Sequence, residues 1–436
     1  MKRLIFCLMG AALALAPQAK EWTLQECIDY AIEHNLTVRQ GELERRSAEQ
    51  QLVGAKDAAL PQVSGSASQT WNFGRGLTAQ NTYADRNTSN FGANVGLQLP
   101  LFNGLQTLRN VRASEASLVA VVEGVEATKD DVTLRVIAQY LQVLYTQELE
   151  AVAAAQADLT AEEETRRKAL LEAGKIPEAD MLDARSQAAE ARMQLVSAAN
   201  DRILALVDLA QLLRLENPEE FDVADLDTSV LPEIRTPESV YNSALGINHG
   251  LRAAELQVRA ADRQIALAKT GWIPRLSFQA GLGTNYYHVG GMPNDKFGAQ
   301  MRHNFSQYLG FSLSVPIFDG FSTRNAVRNA RIQRLNADLQ LETRRDNLFK
   351  AVQESYYQAV GAREKLAAAE ETVTASAAAL EAVTEKYSLG RATSTDFDTA
   401  KNRTIQAMSE RARALYELIL RARILDFYAT GSAAAL

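Results

Sequence analysis

The sequence predicts an internally duplicated α+β membrane protein with four transmembrane β-strands per chain and a long antiparallel α-helical coiled coil. Three observations carry that prediction. The stretch Leu97-Gln98-Leu99-Pro100-Leu101-Phe102-Asn103-Gly104 returns as Leu313-Ser314-Val315-Pro316-Ile317-Phe318-Asp319-Gly320. Four segments alternate apolar with neutral polar residues, the period of a strand with two different faces. Two proline-free segments of about 68 residues each keep a helical period, for a length near 100 Å at about 1.5 Å per residue.

In chain order, Lys2-Arg3 precedes an apolar run from Leu4 to Leu15. That run is too short to span a bilayer and suits a signal peptide over residues 1–19, cut near Ala16 to Ala19. Cys7 lies too early in the run for a lipid anchor. Cys27 is then the only cysteine left, so no intrachain disulfide forms, and it reads as a small buried hydrophobe. No later segment reaches 18 consecutive apolar residues. The net charge of −7 offers no basic patch for nucleic acid.

The duplication covers nearly the whole mature chain. Thr23, Asn35, Arg39, Gln51 and Pro61 recur 213 residues on as Thr236, Asn248, Arg252, Gln264 and Pro274. Tyr140, Gly174 and Asp180 recur 216 residues on as Tyr356, Gly390 and Asp396. The reading is therefore a first repeat over 20–216, an irregular acidic linker over 217–237 and a second repeat over 238–436. Each repeat runs helix, strand, loop, strand, very long helix, turn, short helix. The leading helices are expected over Thr23 to Ala59 and Pro237 to Thr270.

The strands are placed at about 61–73, 90–100, 275–287 and 305–316. Val63, Ala67, Trp71, Val95, Leu97, Phe278, Leu282, Leu309 and Phe311 fall on apolar faces; Ser64, Ser66, Asn94, Gln98, Gln279, Asn285 and Ser312 fall opposite. A soluble sheet would expose Lys, Glu or Arg there, whereas Ser, Asn and Gln suit a hydrated barrel lumen. About ten residues cross a bilayer at a tilt. Four strands cannot close a membrane barrel, and unpaired edges in lipid cost several kcal/mol per backbone group. Three chains would supply a 12-stranded barrel that continues into an α-helical tunnel. Pro100, Gly104, Pro316 and Gly320 mark the barrel-to-helix junctions, proline ending the strand and glycine turning the chain.

The long helices end at matching turns, Ala173-Gly174-Lys175-Ile176-Pro177-Glu178-Ala179-Asp180 and Leu389-Gly390-Arg391-Ala392-Thr393-Ser394-Thr395-Asp396. Glycine suits the residue after the incoming helix, and Pro177 and Thr393 suit the start of the outgoing one.

The paired Pro-Leu-Phe-Asn-Gly and Pro-Ile-Phe-Asp-Gly junctions, the paired Gly-x5-Asp turns and the amino-terminal Trp22-Thr-Leu-Gln-Glu-Cys-Ile-Asp-Tyr-Ala resemble the TolC family of outer-membrane efflux channels. The resemblance implies a homotrimer in the outer membrane of a Gram-negative cell, in contact with its lipid and extending into the periplasm. It implies partnership with a periplasmic adaptor and with an inner-membrane efflux pump or ABC transporter, in tripartite efflux or type I secretion. It also implies an entrance lined by Asp180 and Asp396, with Asp183 following in one repeat and Thr399, beside Asp398, in the other. Tyr387 matches the family's gate tyrosine. Arg391 stands one residue from its basic partner, and Lys175 is the repeat counterpart of Arg391. No cofactor, metal or catalytic constellation is expected: His34, His249, His288 and His303 have no ligand spacing, and no phosphate loop or nucleophile elbow occurs. The alternative function is a periplasmic coiled-coil adaptor or scaffold whose strands form a soluble β-domain.

Overall fold

The computed structural model describes residues 20–77, 81–215, 221–228 and 231–432. The expected signal peptide, residues 1–19, lies outside the described residues. In chain order the elements are β1 (Lys20–Trp22), α1 (Leu24–His34), α2 (Leu36–Asp57), β2 (Gln62–Asn72), β3 (Arg75–Leu77), β4 (Tyr83–Asp85), β5 (Thr88–Phe102), α3 (Gln106–Glu172) and α4 (Glu178–Leu213). They continue with β6 (Phe221–Val223), α5 (Pro237–Ile247), α6 (His249–Ala268), β7 (Arg275–Val289), α7 (Phe297–His303), β8 (Ser306–Ser314), α8 (Ser322–Ser388) and α9 (Ser394–Thr430). The chain forms two units, one from Leu43–Glu123 with Arg252–Thr343, the other from the remainder.

The first unit holds a four-stranded antiparallel sheet in the order β2-β5-β7-β8. Paired residues share a face, so the register tests the alternation. Val63 pairs with Leu97, Leu97 with Ala280 and Ala280 with Leu309. On the other face Ser66 pairs with Asn94, Asn94 with Gly283 and Gly283 with Ser306. One face is thus apolar across all four strands and the other polar, and neutral apart from Arg275 at the start of β7. Phe311 and Leu309 are 72% and 78% exposed on the apolar face, where a water-soluble sheet would bury them. Among the described residues, β2 and β8 pair on one side only, so both edges are open.

Both junctions use the same backbone device. Gly104 and Leu105 have φ of 65° and 63°, and Gly320 and Phe321 have 62° and 64°. The second residue of each pair carries a side chain in the left-handed region, held there by the cap that follows. Asn103 Oδ1 accepts from the Thr107 amide, and Asp319 Oδ2 from the Thr323 amide at 2.8 Å. Gly104 has a further reason to lack a side chain, because a Cβ there would lie 2.9 Å from Ile273 Cβ.

The two prolines differ. Pro316 lies beyond β8, which stops at Ser314, two residues short of the expected end. Pro100 does not end its strand: β5 runs on to Phe102. Pairing with β2 has already stopped at Gln98, and the β7 register slips between Pro100 and Phe102. A proline is tolerated at such a bulge because no ladder bond requires its missing N–H. The loops also carry structure. β3 and β4 form a short hairpin, and α7 folds back so that Phe297 packs 5.7 Å from Phe91 and 5.1 Å from Tyr286.

In the second unit the leading helices are broken where one continuous helix is expected. Asn35 and Asn248 are extended, with ψ of 134° and 113°. Asn35 Oδ1 accepts from the Thr37 amide and Asn248 Oδ1 from the Leu251 amide, so each asparagine caps the next helix. The linker is also less irregular than expected: β6 pairs in parallel with β1, and Tyr140 Oη lies 2.6 Å from the Ala224 carbonyl and 3.1 Å from that of Trp22. The core comprises Val136, Ile137, Tyr140, Leu144, Leu209, Leu213, Leu418 and Leu425, all at most 2% exposed. Cys27 is fully buried, and burial, reinforced by Glu26, pushes its thiol up to about 12. α3 and α8 are 67 residues each, so their length is about 100 Å.

Candidate functional site

The two turns that end α3 and α8 are built alike. Gly174 and Gly390 both have φ of 68°. The Lys175 amide donates to Leu170 and the Gly174 amide to Leu171; the Arg391 amide donates to Lys386 and the Gly390 amide to Tyr387. This six-to-one and five-to-two pair satisfies the last carbonyls of a helix and requires the left-handed residue that glycine supplies.

The outgoing helices start differently. Thr393 caps α9: its Oγ1 accepts from the Asp396 amide at 3.2 Å, and Asp396 Oδ2 accepts from the Thr393 amide at 3.0 Å and from its hydroxyl at 2.7 Å. Those bonds from Thr393 hold the Asp396 carboxyl below its ordinary pKa. Pro177 caps α4 with no side-chain bond, and Asp180 lies half-buried in its first turn. The two expected entrance carboxylates are therefore unlike within one chain.

Beside the turns lies a buried polar cluster that joins all four helices. Arg167 is 2% exposed. Its Nε donates to Glu163 Oε1 at 2.9 Å and its Nη1 to the Asp180 carbonyl at 3.2 Å. Its Nη1 and Nη2 lie 3.6 Å from Asp183 and 3.5 Å from Asp398. Lys401 Nζ donates to Asp398 Oδ1 at 2.9 Å and to Gln187 Oε1 at 3.1 Å, while Gln187 Nε2 donates to Asp398 Oδ2. Burial opposes the charge on Arg167, yet the bond to Glu163 and the neighbouring Tyr387 and Asp398 keep its pKa above the ordinary value.

Tyr387 closes this cluster. Its hydroxyl donates to Glu163 Oε1 at 2.8 Å, and its ring stacks on Phe397 at 5.2 Å. Burial, then the bond to Glu163, raise its pKa. The basic groups at the ring are Arg166 and Arg167, 5.0 and 6.0 Å from its centre. Arg391 is exposed and, among the described residues, makes no side-chain hydrogen bond or ion pair; Lys175 is likewise exposed. Arg391 and Asp396 instead line an open groove of about 730 Å³ with Ala375, Ala379, Lys386 and Arg403. The cluster thus contains Tyr387, which the sequence reading named, and Glu163, Arg167, Gln187 and Lys401, which it did not. Their only signal was the i, i+4 spacing of Glu163 and Arg167, which solvated helices share.

Two regions of the chain, residues 27–213 and 240–428, match the family described as outer membrane efflux protein. The chain belongs to that family. The family places it in the outer membrane as a channel for efflux or secretion, within a family of channels rather than of enzymes, and so decides against the adaptor reading. The chain is 26% identical over 432 residues to the outer membrane protein TolC of Vibrio cholerae, covering 96% of this chain and 93% of that one. It is 24% identical over 442 residues to the alkaline protease secretion protein AprF of Pseudomonas aeruginosa, covering 98% and 89%. Its fold is similar to a crystal structure of CusC, with a TM-score of 0.77 at 16% identity over 93% of this chain and 91% of that one. The two matched regions of the efflux family correspond to the two copies of the duplicated sequence.

Proposed function

We propose that three chains close a twelve-stranded barrel in the outer membrane, forming a passive conduit that is shut at rest at the two helix turns. The observation that carries this reading is the sheet: one face is apolar, the other is polar, and both edges are open. Open edges are not tolerated in lipid, and three copies of four strands give an even number that leaves an aqueous lumen. Substrates reach the conduit from a periplasmic adaptor and an inner-membrane pump or ABC transporter, in efflux or in type I secretion.

The closed state rests on Tyr387, which ties α8 to Glu163 of α3, with Arg391 and Lys175 as charged groups at the turns. Asp180 and Asp396, six carboxylates in a trimer, set a preference for cations. Planar-bilayer recording tests both parts. Tyr387→Phe with Arg391→Ser raises conductance, and Asp180→Ala with Asp396→Ala weakens cation selectivity and block by multivalent cations. Unchanged conductance and selectivity in both variants removes the gate from these turns. Cross-linking in detergent should give a three-subunit species, and a monomeric closed barrel would refute the assembly.

A further inference from the structure

The first five turns of α8 divide into four faces, at about 100° per residue. Thr323 and Val327 are buried, with Gly271 directly over Thr323. Ile332 and Leu339 form an exposed apolar stripe on the side away from that packed face, and Phe321, exposed as well, stands just before the helix. Asn329, Gln333 and Gln340 share a third face, with the chemistry of the polar side of the sheet. Opposite them stand Arg324, Arg328 and Arg331, at spacings of four and three residues, all exposed.

These arginines have not found acidic partners. Arg334, the next in sequence, pairs with Asp262 at 3.2 Å and with Asp338. Among the described residues Arg324, Arg328 and Arg331 form no hydrogen bond or ion pair through their side chains. Arg324 instead lies over the Phe321 ring at 5.5 Å, and that ring meets Phe318 edge-on at 5.3 Å. Phe318 and Phe321 are 74% and 53% exposed. Exposed aromatic rings beneath a guanidinium, immediately after a membrane-crossing strand, are the arrangement of a lipid–water interface. The fold does not require it: the corresponding positions in the first repeat are Leu108, Arg112 and Glu115, with no net charge.

We propose that Arg324, Arg328 and Arg331 form a docking strip for anionic phospholipid headgroups on the periplasmic leaflet of the outer membrane. The strip begins two residues into α8 and extends about 10 Å along it, comparable to the depth of a headgroup layer. It faces away from the Asn and Gln side, which has the residue types of the sheet's polar face. Basic groups at such a surface concentrate anionic lipid within a Debye length. The inference rests on the sheet crossing the membrane.

The test reconstitutes the assembled protein in phosphatidylcholine vesicles containing a minority of phosphatidylglycerol. Spin-labelled lipids report how strongly each headgroup associates with the protein. The wild type should prefer phosphatidylglycerol over phosphatidylcholine by about fivefold or more, and 1 M salt should collapse the preference. Arg324→Gln with Arg328→Gln and Arg331→Gln should bring the ratio near one, and the matching triple Lys variant should keep it. A wild-type ratio near one, a salt-insensitive ratio or an unchanged Gln variant overturns the proposal. So does a Gln variant that fails to assemble while the Lys variant assembles, because the arginines then serve contacts between protomers. Altered ion selectivity with an unchanged lipid ratio places the strip in the lumen and also overturns it. Failure of the wild type to insert into vesicles would count against the membrane sheet itself, and the two failures are distinguishable.

Discussion

Replacing Arg167 by Met removes a buried guanidinium while keeping most of its volume. The cluster indicates which groups suffer. Asp398 keeps Lys401 at 2.9 Å and Gln187 at 2.8 Å, so it stays compensated. Glu163 loses its 2.9 Å partner and retains only the Tyr387 hydroxyl and Arg166 at 3.7 Å. Breaking a buried pair from one side costs about 3–5 kcal/mol, and with Asp398 still paired and the third carboxylate, Asp183, open to solvent the lower end applies, near 3 kcal/mol. At about 1.4 kcal/mol per tenfold, hydrogen-exchange protection at the joined ends of α3, α4, α8 and α9 should fall on the order of 100-fold, with segments far from the turns unchanged. Adding Glu163→Gln removes the stranded charge and should recover at least about tenfold of that loss. A loss under tenfold for Arg167→Met, or no recovery in the double variant, would show that the cluster does not hold the hairpins together.

Three further outcomes are expected. Leu97→Arg or Phe311→Arg should block membrane assembly, since a charge near mid-bilayer costs about 2–4 kcal/mol, whereas Asn94→Arg or Ser312→Arg should assemble and change conductance; equal tolerance on both faces contradicts the assignment. Gly320→Ala should cost about 1 kcal/mol for its left-handed φ alone, and Gly104→Ala at least twice that because Ile273 also obstructs it; thermal melting that ranks them equally refutes the steric account. The lowered Asp396 pKa stabilises the start of α9 above the ordinary carboxylate range, and that contribution is lost as pH falls through the lowered value. Thr393→Ala should move the Asp396 titration, followed by NMR, upward; an unmoved titration rules out the cap as the cause.

The membrane sheet was legible because alternation alone assigns each side chain to a face, and the register kept Val63, Leu97, Ala280 and Leu309 together. The paired turns were legible because glycine takes the left-handed position after a helix without the strain a side chain adds there. Pro100 was misread because the absence of a ladder donor matters only where a neighbour needs it, and that depends on where β2 stops. The helix breaks at Asn35 and Asn248 were visible as repeated asparagines, but asparagine also occurs inside helices, so the repeat alone did not reveal the caps. The cluster around Arg167 was illegible for a different reason. Glu162-Glu163-Glu164 and Arg166-Arg167 have the composition of a solvated helix face, and only the packing of four helices from both repeats buries Glu163 and Arg167 while Glu162 and Arg166 stay exposed.

The clasp between β1 and β6 sets an order of events for a chain that crosses a membrane amino-terminus first. Lys20–Trp22 waits for Phe221–Val223, about 200 residues later, and the Tyr140 hydroxyl reaches carbonyls on both sides of the closure. Bringing such distant ends together costs about 5 kcal/mol of loop entropy, so the clasp is favourable only once α3 and α4 have formed and brought its ends close. All of its parts precede residue 225. The amino-terminal half can therefore fasten its own ends while the second half is still being translocated, and it then offers a finished template on which the later copy of the same helices can align.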